Sequence, residues 1–366
     1  MKGARAAVVA LAVALVVAAL GWLVARGLHP QAAAPAIATT SPTPTPTARG
    51  ASDLGHAAAA GARAGGAATK ARVILTAPWG DGAGRLGHRS DPESLAVGPM
   101  SFVVDGRGVV VLDGVNRRLA RFDAHGKPLP PIALDNDAAQ DLARAGDRLA
   151  VLDRLHDKRV TLFDADGSTR ATLPLAAAGI TEGAAATGVF ADRDGDLYVE
   201  REHSAWLPLA DANGAPISTG PAALPPAPGR PTRDGRFVAA AIADRAAGRA
   251  TVTLYPAAAA PPAWQATVGF AAPILFIALL DSDASGRIYL GAHTGAESPA
   301  PPYAIVGESL TVVALDGGDG HELGRLTLPA PPAHEEAFRD LYVGDDGTIY
   351  WMRRTAAGVV VEAYRI

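Results

Sequence analysis

A glycine turn between two β-prone runs recurs six times between residues 100 and 350 of this chain. The turns sit at Asp105-Gly106, Gly146-Asp147, Asp194-Gly195, Asp234-Gly235, Ser285-Gly286 and Asp346-Gly347. The flanking runs, such as SFVVDGRGVVVLD and LYVGDDGTIYWM, are rich in Val, Leu and Tyr. Successive turns lie about 40 to about 60 residues apart, the period of propeller blades. A unit of that length forms one four-stranded sheet, and such sheets stack around an axis. The expected fold is therefore all-β, a six-bladed β-propeller over residues 70–366.

Aligned copies define the unit. The first runs Val109 to Asp113, then Leu119 to Gly126; the second runs Leu149 to Asp153, then Val160 to Gly167. The third keeps Leu197-Tyr198-Val199-Glu200 and ends at Asp211-Ala212-Asn213-Gly214. Alternation is poor in these runs, as expected of strands covered on both faces by neighbouring blades. Asp-Ala-x-Gly then supplies the hairpin to the outer strand, with Gly at positive φ. GPMSFVVDGRGVVVLDGVNRRLARFDAHGK, with Asp113, Asn116, Arg118, Phe122 and Gly126, resembles an NHL-type repeat. The second copy has one extra residue between Asp153 and Arg159, and His156-Asp157 in place of the Asn. Later copies share only the turns and the strand pattern. The resemblance implies a six-bladed β-propeller and, by itself, no reaction.

Strand counting predicts how the ring closes. The last copy holds strands near residues 338–344, 348–352 and 359–366, one short of four. Residues 71–77, ARVILTA, form a strand with no partner of their own. They are expected to supply the fourth strand of the final blade, which removes two open edges.

The amino-terminal residues follow a different logic. Residues 6–25 are twenty uncharged, mostly apolar residues, preceded by Lys2 and Arg5. Twenty residues in a helix span the roughly 30 Å bilayer core, and Trp22 falls where an interfacial aromatic would sit. A signal-anchor through the inner membrane is expected, with residues 1–25 as cytoplasmic tip and span. A cleaved signal peptide is the competing reading, although its apolar core is usually only 7–15 residues. Either places the propeller in the periplasm or outside the cell. Residues 26–69, with SPTPTPTARG and an Ala/Gly-rich run, are expected to be a spacer. The chain has no Cys, so neither disulfides nor thiolate metal sites are available. Net charge is −4 with no basic cluster, which argues against nucleic acid as a partner.

Several motifs reduce to turns. Gly82-x-Gly84-x-x-Gly87 lacks the following helix that a dinucleotide site needs. Asp281-x-Asp283-x-Ser285-Gly286 starts like a calcium loop, but its twelfth position is Ala292 and a tight β-turn is expected. Asp113, Arg118, Asp153 and Arg159 recur with the blades, so ion pairs or hydrogen bonds within turns are expected. His334-Glu335-Glu336 is not a zinc helix motif, and the nine His show no metal-ligand spacing.

Two places are left as candidate sites. Met100, Gln140, Asp141, Arg339 and Asp340 lead into inner strands and should ring the axis on one face, where a polar ligand or cation could bind. Residues 295–308, with Pro299, Pro302 and Tyr303, form a long insertion in the fifth blade suited to a partner. No catalytic residue, cofactor or metal is assigned. The expected function is a membrane-tethered binding or interaction scaffold, without enzymatic activity. The alternative is a hydrolase or lyase acting on a small molecule, with charged residues at the channel mouth holding a metal.

Overall fold

Each of the six glycine turns closes the first hairpin of a separate antiparallel sheet. The computed structural model describes residues 71–90, 93, 96–217, 226–301, 303–329 and 337–366. The first strand, β1 (Arg72–Pro78), stands apart from the six successive sets that follow. Sheet one holds β2 (Ser101–Asp105), β3 (Gly108–Asp113), β4 (Arg118–Asp123) and β5 (Pro128–Ala133). Sheet two holds β6 (Asp141–Ala145), β7 (Arg148–Asp153), β8 (Arg159–Phe163) and β9 (Thr169–Pro174). Among the described residues sheet three holds β10 (Ala186–Ala191), β11 (Leu197–Arg201) and β12 (Ala205–Ala210), with an isolated bridge from Ala210 to Pro216. Sheet four holds β13 (Arg230–Pro231), β14 (Phe237–Asp244), β15 (Arg249–Tyr255) and β16 (Trp264–Gly269). Sheet five holds β17 (Ile274–Ser282), β18 (Ile288–Glu297), β19 (Ile305–Leu315) and β20 (Glu322–Pro329). Sheet six holds β21 (Leu341–Val343), β22 (Ile349–Thr355) and β23 (Gly358–Tyr364), and its fourth strand is β1.

The ring closes as expected. β1 pairs antiparallel with β23 from Arg72↔Ala363 to Pro78↔Gly358, with one irregularity between Val73 and Leu75. Around the axis β2 lies beside β6, β6 beside β10 and β10 beside β13; β14 touches β17, β17 touches β21, and β21 returns to β2. This is a six-bladed β-propeller.

The core lies between blades rather than within one. Phe102, Val111 and Leu119 of sheet one pack with Leu142 and Val151 of sheet two and with Tyr342, Met352 and Val361 of sheet six. β7 is buried at five of its six positions, which explains its weak alternation. Fully buried leucines such as Leu112, Leu152 and Leu209 each contribute about 1.5–3 kcal/mol in place of disulfides. Gly108 begins β3 at φ +140°, and a Cβ there would stand 1.9 Å from the Phe122 carbonyl oxygen. The turns after β4, β8 and β12 follow the Asp-Ala-x-Gly pattern. Asp123 Oδ1 accepts from His125 N and Lys127 N, and Gly126 takes φ +77°.

One expectation is modified. Residues 295–308 are not wholly loop: β18 runs on to Glu297 and β19 starts at Ile305, so the insertion lengthens a hairpin beyond the start of β17. β17 itself is only partly buried, with Phe276 51% exposed. The expected span at 6–25, the spacer at 26–69, the triplet at 334–336 and Pro302 lie outside the described residues. Among the described residues no helix is long and apolar enough to cross a membrane.

Candidate functional site

Two acidic side chains sit inside the inner ring, where apolar strands would not be expected to bury them alone. Asp141 opens β6 and is fully buried. Its Oδ1 accepts from Ser101 Oγ (2.8 Å) and its own neighbour Leu142 N (2.8 Å). Its Oδ2 accepts from Val189 N (3.0 Å) and Arg339 Nη2 (2.6 Å). One carboxylate thus ties together sheets one, two and three and the segment entering sheet six.

Asp281, near the end of β17, repeats this bonding three blades away. It accepts from Ser282 N (2.8 Å), Val343 N (3.3 Å) and Arg233 Nη1 (2.7 Å), with Arg230 Nη2 at 3.3 Å. The parallel extends to the backbone. Arg339 also donates to the Val189 carbonyl, and Arg233 to the Val343 carbonyl, so each arginine clasps the residue whose N–H meets its aspartate. Burial works against the charge on Asp281, but Arg230 and Arg233 outweigh it and hold the carboxyl below its usual range.

These clamps shape a cavity of about 230 Å³ on the axis. Its walls come from the inner strands, the turns that follow them and the segment entering β21: Arg144, Arg193, Arg230, Arg233 and Arg339, with Phe190, Tyr342, Asp192, Asp281 and Asp345. The guanidinia of Arg230 and Arg339 lie over the Phe190 ring, 4.2 and 4.6 Å from its centroid, and Arg233 lies 5.2 Å from that of Tyr342. Stacking on a ring face keeps a buried guanidinium favourable without using its hydrogen-bond donors. Arg230 is pushed down to about 10 by burial and by Arg339 and Arg233, against the pull of Asp281. Burial also opposes the charge of Arg233, yet Asp281, Tyr342 and Asp345 together raise its pKa.

The residues expected at the channel mouth separate. Asp141 and Arg339 do meet on the axis. Gln140 instead accepts from Arg154 N (3.2 Å) through Oε1, and Asp340 takes its place among His293, Arg354 and Trp351, where burial raises its pKa against their pull. Neither Gln140 nor Asp340 lines the cavity, and Met100 offers its carbonyl to Phe338 N and Arg339 N. The cavity therefore opens mainly where inner strands turn back, and Arg339 reaches it from the segment that leads into β21. Pro299 is exposed in the lengthened hairpin, as is Tyr303, 55% exposed at φ +54°.

The motif readings also resolve. Arg118 holds the glycine-rich segment at residues 82–87 as a loop, donating to the carbonyls of Asp81, Gly82 and Arg85. It also pairs with Asp113 at 2.9 Å, as the repeat pattern predicts. The second copy differs. Asp153 accepts from His156 N and Asn136 Nδ2, while Arg159 pairs with Asp135 and Asp157. Asp283 Oδ1 accepts from Ser285 N, Ser285 Oγ and Arg287 N, a closed turn that leaves Asp281 to the axis. Among the described residues, Asp153, His156 and Asp157, and likewise Asp316, Asp319 and His321, stand close enough to share a cation. Both groups lie on mostly exposed turns whose N–H groups their carboxylates already accept.

Sequence reasoning missed Arg193, Arg230 and Arg233 and misread Asp281. One signal was present: a carboxylate at the end of the apolar run ILFIALLD, where only a buried partner makes it tolerable.

No protein-family model matches this chain, and no curated protein matches it. Among solved structures it is similar to Kuenenia stuttgartiensis hydrazine synthase, with 14% identity and a TM-score of 0.44, covering 70% of this chain and 74% of that one. It is also similar to a protein of unknown function from Bacteroides caccae, with 14% identity and a TM-score of 0.37, covering 63% and 82%. Likenesses this distant carry no statement about what this chain does.

Proposed function

We propose that this chain is a membrane-tethered, extracytoplasmic propeller that binds a small molecule in its axial cavity and does not transform it. The observation that carries the reading is the lining of that cavity. Charged side chains from sheets two to six converge there, yet none of the described lining residues is Ser, Thr, Cys, His or Lys. A site so built can hold a polar ligand, and its carboxylates are engaged elsewhere: Asp281 by Arg233, Asp192 by the N–H groups of Asp194 and Asp196, and Asp345 by Arg233. The metal-assisted hydrolase alternative fares worse at this mouth, because guanidinia repel a cation and both axial carboxylates are held by arginine. The apolar segment at residues 6–25 supports the tether.

Two measurements test this. Membrane fractionation with protease accessibility of the full chain should place it in the membrane with the propeller outside the cytoplasm. A thermal-shift panel of cations, neutral sugars and small anions should give at least one saturable ligand, recovered chemically unchanged. Recovery of a converted ligand, or a chain found only in the soluble fraction, overturns the corresponding half of the reading.

A further inference from the structure

We infer that the axial cavity is an anion site for a compact oxyanion carrying two negative charges, a phosphate or a short dicarboxylate. The inference rests on the binding reading above and adds the chemical class of the ligand.

Three observations lead to it. First, the charges at the heart of the ring do not balance. Five guanidinia line the cavity, Arg144, Arg193, Arg230, Arg233 and Arg339, against three carboxylates, Asp192, Asp281 and Asp345, with Asp141 behind Arg339 and Glu200 near Arg230. Asp345 reaches Arg233 Nε at 3.0 Å but is 59% exposed, so solvent weakens its share. A buried cation in excess is costly unless an anion joins it. The depressed pKa of Arg230, caused by burial and then by Arg339 and Arg233, reports the same imbalance.

Second, donors remain open. Arg339 gives both Nη2 hydrogens to described residues, which leaves Nε and Nη1 as separate single donors, not a parallel pair, in a side chain that lines the cavity. Arg193, on the turn after β10, lines the same cavity and has no hydrogen bond or ion pair with any described residue. The Arg193 guanidinium therefore offers paired parallel N–H groups that match a carboxylate or phosphate edge, which a halide cannot exploit.

Third, the size and walls restrict the ligand. About 230 Å³ is below the roughly 300–1,000 Å³ typical of pockets for drug-sized molecules. Phe190 and Tyr342 carry guanidinia on their faces and fix where those charges point. A second negative charge is expected because five guanidinia line the cavity against three carboxylates.

Titration calorimetry on the full chain, at about 0.15 M chloride to screen non-specific attraction, tests the inference. The probes are inorganic phosphate, succinate, acetate and a neutral diol of succinate's length. Phosphate or succinate should bind once per chain, with acetate at least about tenfold weaker and the diol silent. Whichever of phosphate and succinate binds more tightly identifies the source of the charge. Arg193→Gln, an exposed change that leaves both clamps intact, should weaken that binding about tenfold, as expected for one charge-assisted hydrogen bond. Arg230→Gln should weaken it further. Equal binding of acetate and the dianions, or wild-type affinity in Arg193→Gln, overturns the assignment. So does the absence of any anion binding at millimolar concentrations. A cationic or neutral ligand found in the thermal-shift panel would overturn the anion class while leaving the binding reading in place.

Discussion

Replacing Arg339 by Met isolates what the deeper clamp contributes. The Met side chain keeps much of the length and apolar surface but removes the guanidinium. Asp141 then keeps Ser101 Oγ, Leu142 N and Val189 N as donors, and loses Arg339 at 2.6 Å, its one charged partner among the described residues. A fully buried carboxylate stripped of its cation costs about 3–5 kcal/mol. In a domain of this size that corresponds to a fall in Tm on the order of 10 °C. Asp141→Asn should also be costly, because an amide can present N–H towards Val189 N and Arg339, which are themselves donors. The double variant, Asp141→Asn with Arg339→Met, removes both charges together. Its loss should be smaller than the sum of the single losses by at least about 2 kcal/mol, because neither partner is left stranded. Urea denaturation followed by tryptophan fluorescence measures all four proteins, since Trp206 and Trp351 are buried in different sheets. Additive losses, or a loss below about 1 kcal/mol for Arg339→Met, would refute the claim that this pair holds the ring from inside.

Further changes probe other parts of the structure. Leu75→Ala in β1, where Leu75 is 2% exposed, should cost about 2–5 kcal/mol, whereas Val73→Ala, 54% exposed, should stay within about 0.5 kcal/mol; equal effects in denaturant melts would contradict closure by β1. Gly108→Ala should lose more than about 3 kcal/mol or fail to fold, since its Cβ meets the Phe122 carbonyl as well as an unfavourable φ; soluble protein with unchanged Tm would be the contrary result. Arg353 bonds both Glu362 oxygens, at 2.8 and 2.6 Å, and together with Tyr364 holds that carboxyl below its ordinary value despite burial. A depressed acid stabilises above its unfolded pKa of about 4.3 and loses that contribution as pH falls through the folded value. Arg353→Met should therefore be less stable by about 1 kcal/mol at neutral pH, with the gap narrowing below about pH 4; a gap that does not change with pH would speak against it.

Much of the fold was readable because its signals are local. A glycine between two β-prone runs marks a hairpin wherever it occurs, and each of Gly106, Gly146, Gly195, Gly235, Gly286 and Gly347 lies in one. Closure followed from counting strands, since β1 had no neighbour of its own in sequence. The site was much less readable. Asp141 and Arg339 are far apart in the chain and meet only because sheets two and six face the same axis. Arg230 and Arg233 belong to a strand of only two residues, Arg230–Pro231, and the turn after it, where no alternation marks an inner strand. Asp281 sits two residues before Asp283, and the pair reads as one turn until the chain's direction sends their side chains to different partners. Gln140 and Asp340 were grouped with their neighbours on sequence position, but strand alternation sends adjacent side chains to opposite faces.

The junction between β1 and β23 has a consequence for how the chain comes to be folded. β1 is the first of the described strands to be synthesised, and β23 the last. Pairing Arg72 with Ala363 must enclose five other sheets, so it is the most distant contact in sequence that the ring contains. The entropy of closing so long a loop grows only logarithmically, but the rate of finding such a contact is slow. Every nascent or prematurely terminated chain that lacks β23 therefore carries β1 as a bare strand, ready to pair with the wrong neighbour. In this protein, translation stopping late is more hazardous than its length lost would suggest, because the final strand protects the first.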